Sequence, residues 1–308
     1  MKKKIGLVLM VSLFSAAAIV GCGKEAAKET AGEEAAVVAS LEESAQQEAS
    51  EAAEAVTEAA TQDTSASNPI VLEDAITKAM LDTNVSVYSQ GEVATEGHIL
   101  LDSKEDGPQT TCYLLASFAY YEFQNGNFVR SSGSGVIPTV ITFTKNDAGE
   151  YIMVSYEECE DGSRMVESIK ELFPEEFWSR CITTEDDDRN EIDKQIRSDA
   201  EEYLASIGRD DCEIGDFADF EYVIPTDLGI SEEASNELGL AYKYADFIQY
   251  CPNFYIGNRE AVEDGVRYVY ACEYDEKAGK VIYSKSEYDT KEVIESMEFS
   301  AKTGKPIE

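Results

Sequence analysis

Between Gly23 and Asn68 the chain has no aromatic residue, eleven acids and two lysines, and is otherwise built of Ala, Ser, Thr and Gln with little else. Such a stretch cannot bury enough apolar surface to offset the entropy of ordering it. Any packed core must therefore come from the residues beyond Asn68. The Ala/Glu content of the stretch, as in Glu51–Ala60, still favours helix, so an extended, partly helical tether is expected over 22–68.

The residues before it read as an export signal. Lys2, Lys3 and Lys4 precede an uncharged apolar run from Ile5 to Val20, sixteen residues and too short for a comfortable permanent span. Gly21 then supplies the small side chain that signal cleavage requires, and Cys22 supplies a thiol at the new N-terminus. This segment resembles the lipobox of bacterial prolipoproteins. The resemblance implies a signal peptide over 1–21, cleavage between Gly21 and Cys22, and a diacylglyceryl and palmitate anchor on Cys22. It also implies a chain held at the extracytoplasmic face of the cell membrane, since two acyl chains are needed for stable anchoring.

Residues 69–308 contain 51 acids and 20 bases, a net charge of −31. Nucleic acid and anionic lipid are repelled by such a surface. A solvated coat that keeps an exported chain soluble is the simple reading; attraction of a cationic peptide, an envelope protein or weakly held divalent cations is the functional one.

The length and the many Tyr, Phe, Ile and Val predict an α+β fold in two parts, a domain over 69–208 and a second, smaller α+β unit over 209–308. Ile76, Ala79 and Met80 recur at helical spacing in Leu72–Asn84. His98–Asp102, Thr111–Phe123, Val136–Thr144 and Tyr151–Tyr156 read as an antiparallel β-meander, separated by Gly-, Asn- and Asp-rich turns. Cys112–Tyr121 is apolar on both faces, which predicts a central strand covered on one side by the opening helix. Arg164–Phe173 reads as a helix stopped by Pro174, and Arg189–Ile207 as an amphipathic helix ended by Gly208. Beyond it come a strand over Phe217–Ile224, a helix capped by Ser231, and a hairpin of Arg267–Glu273 with Lys280–Ser284.

Glu96-Gly-His98, Tyr120-Tyr-Glu-Phe123, Ser132-Gly-Ser-Gly135, Ile141-Thr-Phe143 and Ile169–Pro174 together resemble a domain at the extracytoplasmic end of BlaR/MecR-type metallopeptidase receptors in clostridia-like bacteria. The resemblance implies a sensor-like module. It does not carry over the peptidase, because His98 is the only histidine and no His-Glu-x-x-His helix exists. Nor does it carry over β-lactam acylation, since no serine has a lysine three residues on. Lys302-Thr-Gly304 stands alone at the chain end and is read as a coincidence.

No cofactor or metal motif emerges. Cys112, Cys159, Cys181, Cys212, Cys251 and Cys272 have no C-x-x-C spacing, so they are read as disulfide partners or buried thiols, with Cys251–Cys272 the first pair to test. Glu185–Asp188 suggests a calcium loop, but Glu191 stands where a glycine is needed and Arg197 where the bidentate glutamate would fall. Glu157-Glu158 and Glu175-Glu176 are acid pairs with no cleft in view, and His98 reads as a structural residue.

The expected function is a non-enzymatic binding or sensing module anchored at the cell surface. A carboxylate-dependent cell-wall hydrolase and a structural envelope-interaction protein are the alternatives. Perturbed carboxylates converging in a pocket would favour the enzyme, and an exposed aromatic patch from Tyr120, Tyr121 or Phe123 would favour binding.

Overall fold

The computed structural model describes residues 71–307. Gly21, Cys22 and the tether lie outside the described residues. The described residues all belong to one compact unit.

Helix α1 (Leu72–Asn84) begins with Glu73 and Asp74 in its first turn, where carboxylates favour the positive end of the helix dipole. It buries Ala75, Ile76, Ala79 and Met80. The next strands are β1 (Val93–Asp106), β2 (Gln109–Gln124), β3 (Asn127–Gly133), β4 (Ile137–Lys145) and β5 (Tyr151–Glu158). All pair antiparallel, β2 with β1, β3 and β4, and β4 with β5. The meander is as expected, with β3 added where the sequence showed only two neighbouring turns.

Strand β2 is buried on both faces. By alternation, Cys112, Leu114 and Ala116 face one way and Leu115, Ala119, Tyr121 and Phe123 the other. The first set packs with α1, Ile141 and Phe143. The second packs beneath α2 (Met165–Leu172), α3 (Trp178–Ile182) and α4 (Asp186–Ser206), through Ile169, Cys181, Ile192, Ile196, Ala200 and Leu204. Each large aliphatic side chain so buried contributes roughly 1.5–3 kcal/mol. Helix α4 comes so close to β1 that a Cβ on Gly97 would lie 2.4 Å from the Ile192 carbonyl oxygen.

After β6 (Ile214–Asp216), which pairs parallel with β3, the expected strand over Phe217–Ile224 does not form. Phe217–Asp219 is a 3₁₀ turn instead, because the Asp219 carboxylate accepts the Asp216 backbone N–H at 2.8 Å and turns the chain. Only Val223 makes a bridge, to Ile256. Ser231 caps helix α5 (Glu232–Leu238) as expected, its hydroxyl accepting from the Ala234 N–H. Strands β7 (Gly257–Glu263), β8 (Val266–Asp275), β9 (Lys280–Glu287) and β10 (Val293–Ser300) make an antiparallel ladder. Its core holds α5, the 241–251 segment and Tyr270, Val281, Tyr283 and Phe299.

The residues on either side of 208 share one sheet. Gln124 of β2 pairs with Arg259 of β7, and strand order runs β10-β9-β8-β7-β2-β3-β6. A salt-bridged cluster closes the same seam. Arg267 binds Glu92 and Glu260, Arg209 binds Glu260, and the Tyr203 hydroxyl donates to Glu92 at 2.6 Å. The Arg209 guanidinium also lies 3.8 Å from the centre of the Phe123 ring. Two cations and two anions therefore neutralise each other in a largely dry place, the condition under which buried charge is tolerated.

Candidate functional site

Alternation along β2 continues past α1. Glu122 and Gln124 fall on the same face as Cys112 and Leu114, but beyond the end of the helix, so two polar side chains take the place of apolar ones. Both are nevertheless buried. Glu122 is tied down by Arg259 of β7, whose Nη2 lies 2.5 Å from its Oε2, and by the Gln124 amide, 2.5 Å from its Oε1. The Gln124 carbonyl oxygen in turn accepts from the Tyr222 hydroxyl at 2.9 Å.

Glu122, Gln124 and Arg259 line a pocket of about 350 Å³ at the junction of β2, β3, β7 and the 249–255 segment. Arg130 of β3 borders it, its guanidinium turned to the opposite face of the sheet, where Asp193 of α4 holds it at 3.1 Å. Phe217, Phe254 and Tyr255 form the aromatic wall. Phe217 stacks face to face on Tyr222 at 4.0 Å, and Phe254 meets Tyr255 edge-on at 5.2 Å, so the rings are held in fixed orientations. Phe217 and Phe254 remain 39% and 56% exposed. Gln90, Gln249 and Asn253 stand exposed around the pocket. Burial and the negative charge of Glu122 push the Tyr222 and Tyr255 hydroxyls up, so both remain protonated donors at neutral pH.

The Arg259 Nε is buried and lacks a hydrogen-bond partner among the described residues. Its neighbour Nη2 takes one Glu122 oxygen, and the other Glu122 oxygen is spent on Gln124.

A broader groove of about 580 Å³ lies along the end of α4 and β6 and is lined by Glu201, Asp210, Glu213, Asp219 and Arg197. Arg197 is paired with Glu201, so the groove is net acidic.

Most of the candidates from the sequence lie away from this pocket. Tyr120, Tyr121 and Phe123 are buried in the core, not exposed, because β2 is covered on both sides. The exposed aromatic patch comes from Phe217, in a segment read as a strand, and Phe254, in a segment for which the sequence predicts no element. His98 has a side chain only 9% exposed, with Nδ1 3.0 Å from Glu96 and Nε2 2.9 Å from Glu73. It clamps α1 to β1. Burial lowers its pKa, and the two carboxylates outweigh that and leave it raised.

Cys251 and Cys272 do come together in one buried cluster, as free thiols and not as a bridge. Cys159 and Cys181 share a second cluster, a pairing that no spacing rule indicated. Asp186–Asp188 form the first turn of α4, and Asp188 binds Arg180 through both oxygens at 2.7 and 2.8 Å. Thr303 and Gly304 of the Lys-Thr-Gly tripeptide make a turn packed on α5, where a Gly304 Cβ would lie 2.4 Å from the Ala234 carbonyl oxygen. Among the described residues no group of three or more metal-ligating side chains converges, and no helix is long and apolar enough to cross a membrane. No family model, curated protein or solved structure matches the chain.

Proposed function

We propose that the chain is an extracytoplasmic lipoprotein, anchored through Cys22, whose folded part binds a ligand in the pocket at the β2–β7 junction without transforming it. The observation that carries this reading is the combination in one cavity of a buried charged pair, Glu122–Arg259, with the half-exposed rings of Phe217 and Phe254. Concave sites with an apolar wall and a few fixed polar groups are where small ligands bind. The catalytic alternative is weaker on chemistry. Both oxygens of Glu122 already accept hydrogen bonds, one from a guanidinium, which leaves it poorly suited as a general acid or base. The resemblance to a receptor's extracytoplasmic domain points the same way, toward sensing at the cell surface.

The test is retention of an envelope component on immobilised residues 67–308, which contain the compact unit. Retention by the unchanged chain and its loss in Phe254→Ala would support binding at this pocket. Turnover of cell-wall fragments that vanishes on one carboxylate substitution would overturn it in favour of a hydrolase.

A further inference from the structure

The pocket's charges cancel locally. Arg259 is matched by Glu122, and the Arg130 guanidinium is turned to the opposite face and paired there with Asp193, so no guanidinium is left to balance a ligand's charge. In a chain of net charge −37 this neutrality is a property of the site and not of the surface around it. A charged ligand would have to break one of these pairs and strand its partner, at the cost of an unpaired charge. A purely apolar ligand would cover Gln90, Gln249 and Asn253 and leave their amides without water or partner. Each of those amides both donates and accepts, as a hydroxyl does. Phe217 and Phe254 lie 5.7 Å apart and are inclined at 55°, two flat apolar faces meeting at a corner. A molecule that suits all of these is uncharged, carries several hydroxyls and has an apolar face formed by C–H groups.

We propose that the pocket at the β2–β7 junction binds a short neutral saccharide, with a sugar ring laid against Phe254 and Phe217 and its hydroxyls bonded by Gln90, Gln249 and Asn253. This rests on the reading of the pocket as a ligand site and specifies its ligand class. Gln124 and Tyr222 act as positioning residues, since their hydrogen bond holds the ring that supports Phe217.

Isothermal titration of residues 67–308 with cellotetraose, mannotetraose and the tetramer of N-acetylglucosamine tests the class, alongside glutamate and tetralysine as charged probes. The expected result is saturable binding of at least one saccharide, weakened about tenfold or more by Phe254→Ala and by the Gln249→Ala/Asn253→Ala pair. Phe254, Gln249 and Asn253 are exposed, and an unchanged melting temperature would show that the variants are folded. Absence of binding by every saccharide, or binding indifferent to Phe254→Ala, overturns the saccharide assignment. Phe254-dependent binding of glutamate or tetralysine without any saccharide overturns it too, but leaves the pocket as a ligand site. Loss of that broader reading would require the envelope-retention experiment to fail as well.

Discussion

Arg267 of β8 grips Glu92, just ahead of β1, through both terminal nitrogens at 2.6 and 2.7 Å, across 175 residues of sequence. The Glu92 side chain is 4% exposed and that of Arg267 16%, so the pair is shielded from solvent screening. It fastens the β7–β10 ladder to the meander beside the pocket, together with Glu260 and Arg209.

Arg267→Met should therefore destabilise the fold by roughly 3–5 kcal/mol, because Glu92 is left buried and unpaired. The double variant Glu92→Leu/Arg267→Met should recover much of that loss. Urea unfolding followed by Trp178 fluorescence measures both, and a single variant no less stable than the double would contradict the account.

Stability should also depend on the protonation of His98. Its folded pKa is raised because the Glu96 and Glu73 carboxylates outweigh burial. The stabilisation is fully present below the unfolded value of about 6.5 and is lost as pH rises through the raised folded value. His98→Gln should flatten that portion of the stability profile. A profile unchanged by the substitution would show that the clamp contributes nothing.

Gly97 marks where α4 lies on β1. Gly97→Ala places a methyl group against the Ile192 carbonyl and should cost roughly 1–3 kcal/mol, as overpacking does. Gly135→Ala, where nothing lies within 4 Å, is the matched control and should be far milder. Equal losses at the two positions would refute the close approach as the cause.

Burial pushes the Cys251 and Cys272 thiols up to about 12, and the nearby Cys272 adds to the effect at Cys251. Thiolates are the reactive form, so both should resist alkylation at pH 8 until the protein unfolds, while half-buried Cys212 labels first. Rapid labelling of Cys251 in the native state, or a bridged Cys251–Cys272 peptide from the envelope, would reverse the free-thiol assignment.

For the anchor, Cys22→Ala should abolish incorporation of a fatty-acid analogue and release the chain from membranes. Labelling that persists in the variant would exclude Cys22 as the attachment point.

The sequence by itself determined the elements whose causes are local. Periodicity placed α1, where Ile76, Ala79 and Met80 line one face, and Ser231 announced α5 because a cap is a short-range hydrogen bond. Two-sided apolarity marked β2 as central, since a strand covered on both faces leaves no polar alternation. Tertiary structure alone decided the rest. Glu122 and Gln124 look like surface residues until β7 brings Arg259 beside them, and Phe217 and Phe254 become neighbours only when two segments distant in sequence are folded against one edge. Charge pairing across such distances leaves no periodic trace, because an isolated Glu or Arg has the same sequence signature whether its partner is a protein side chain or water.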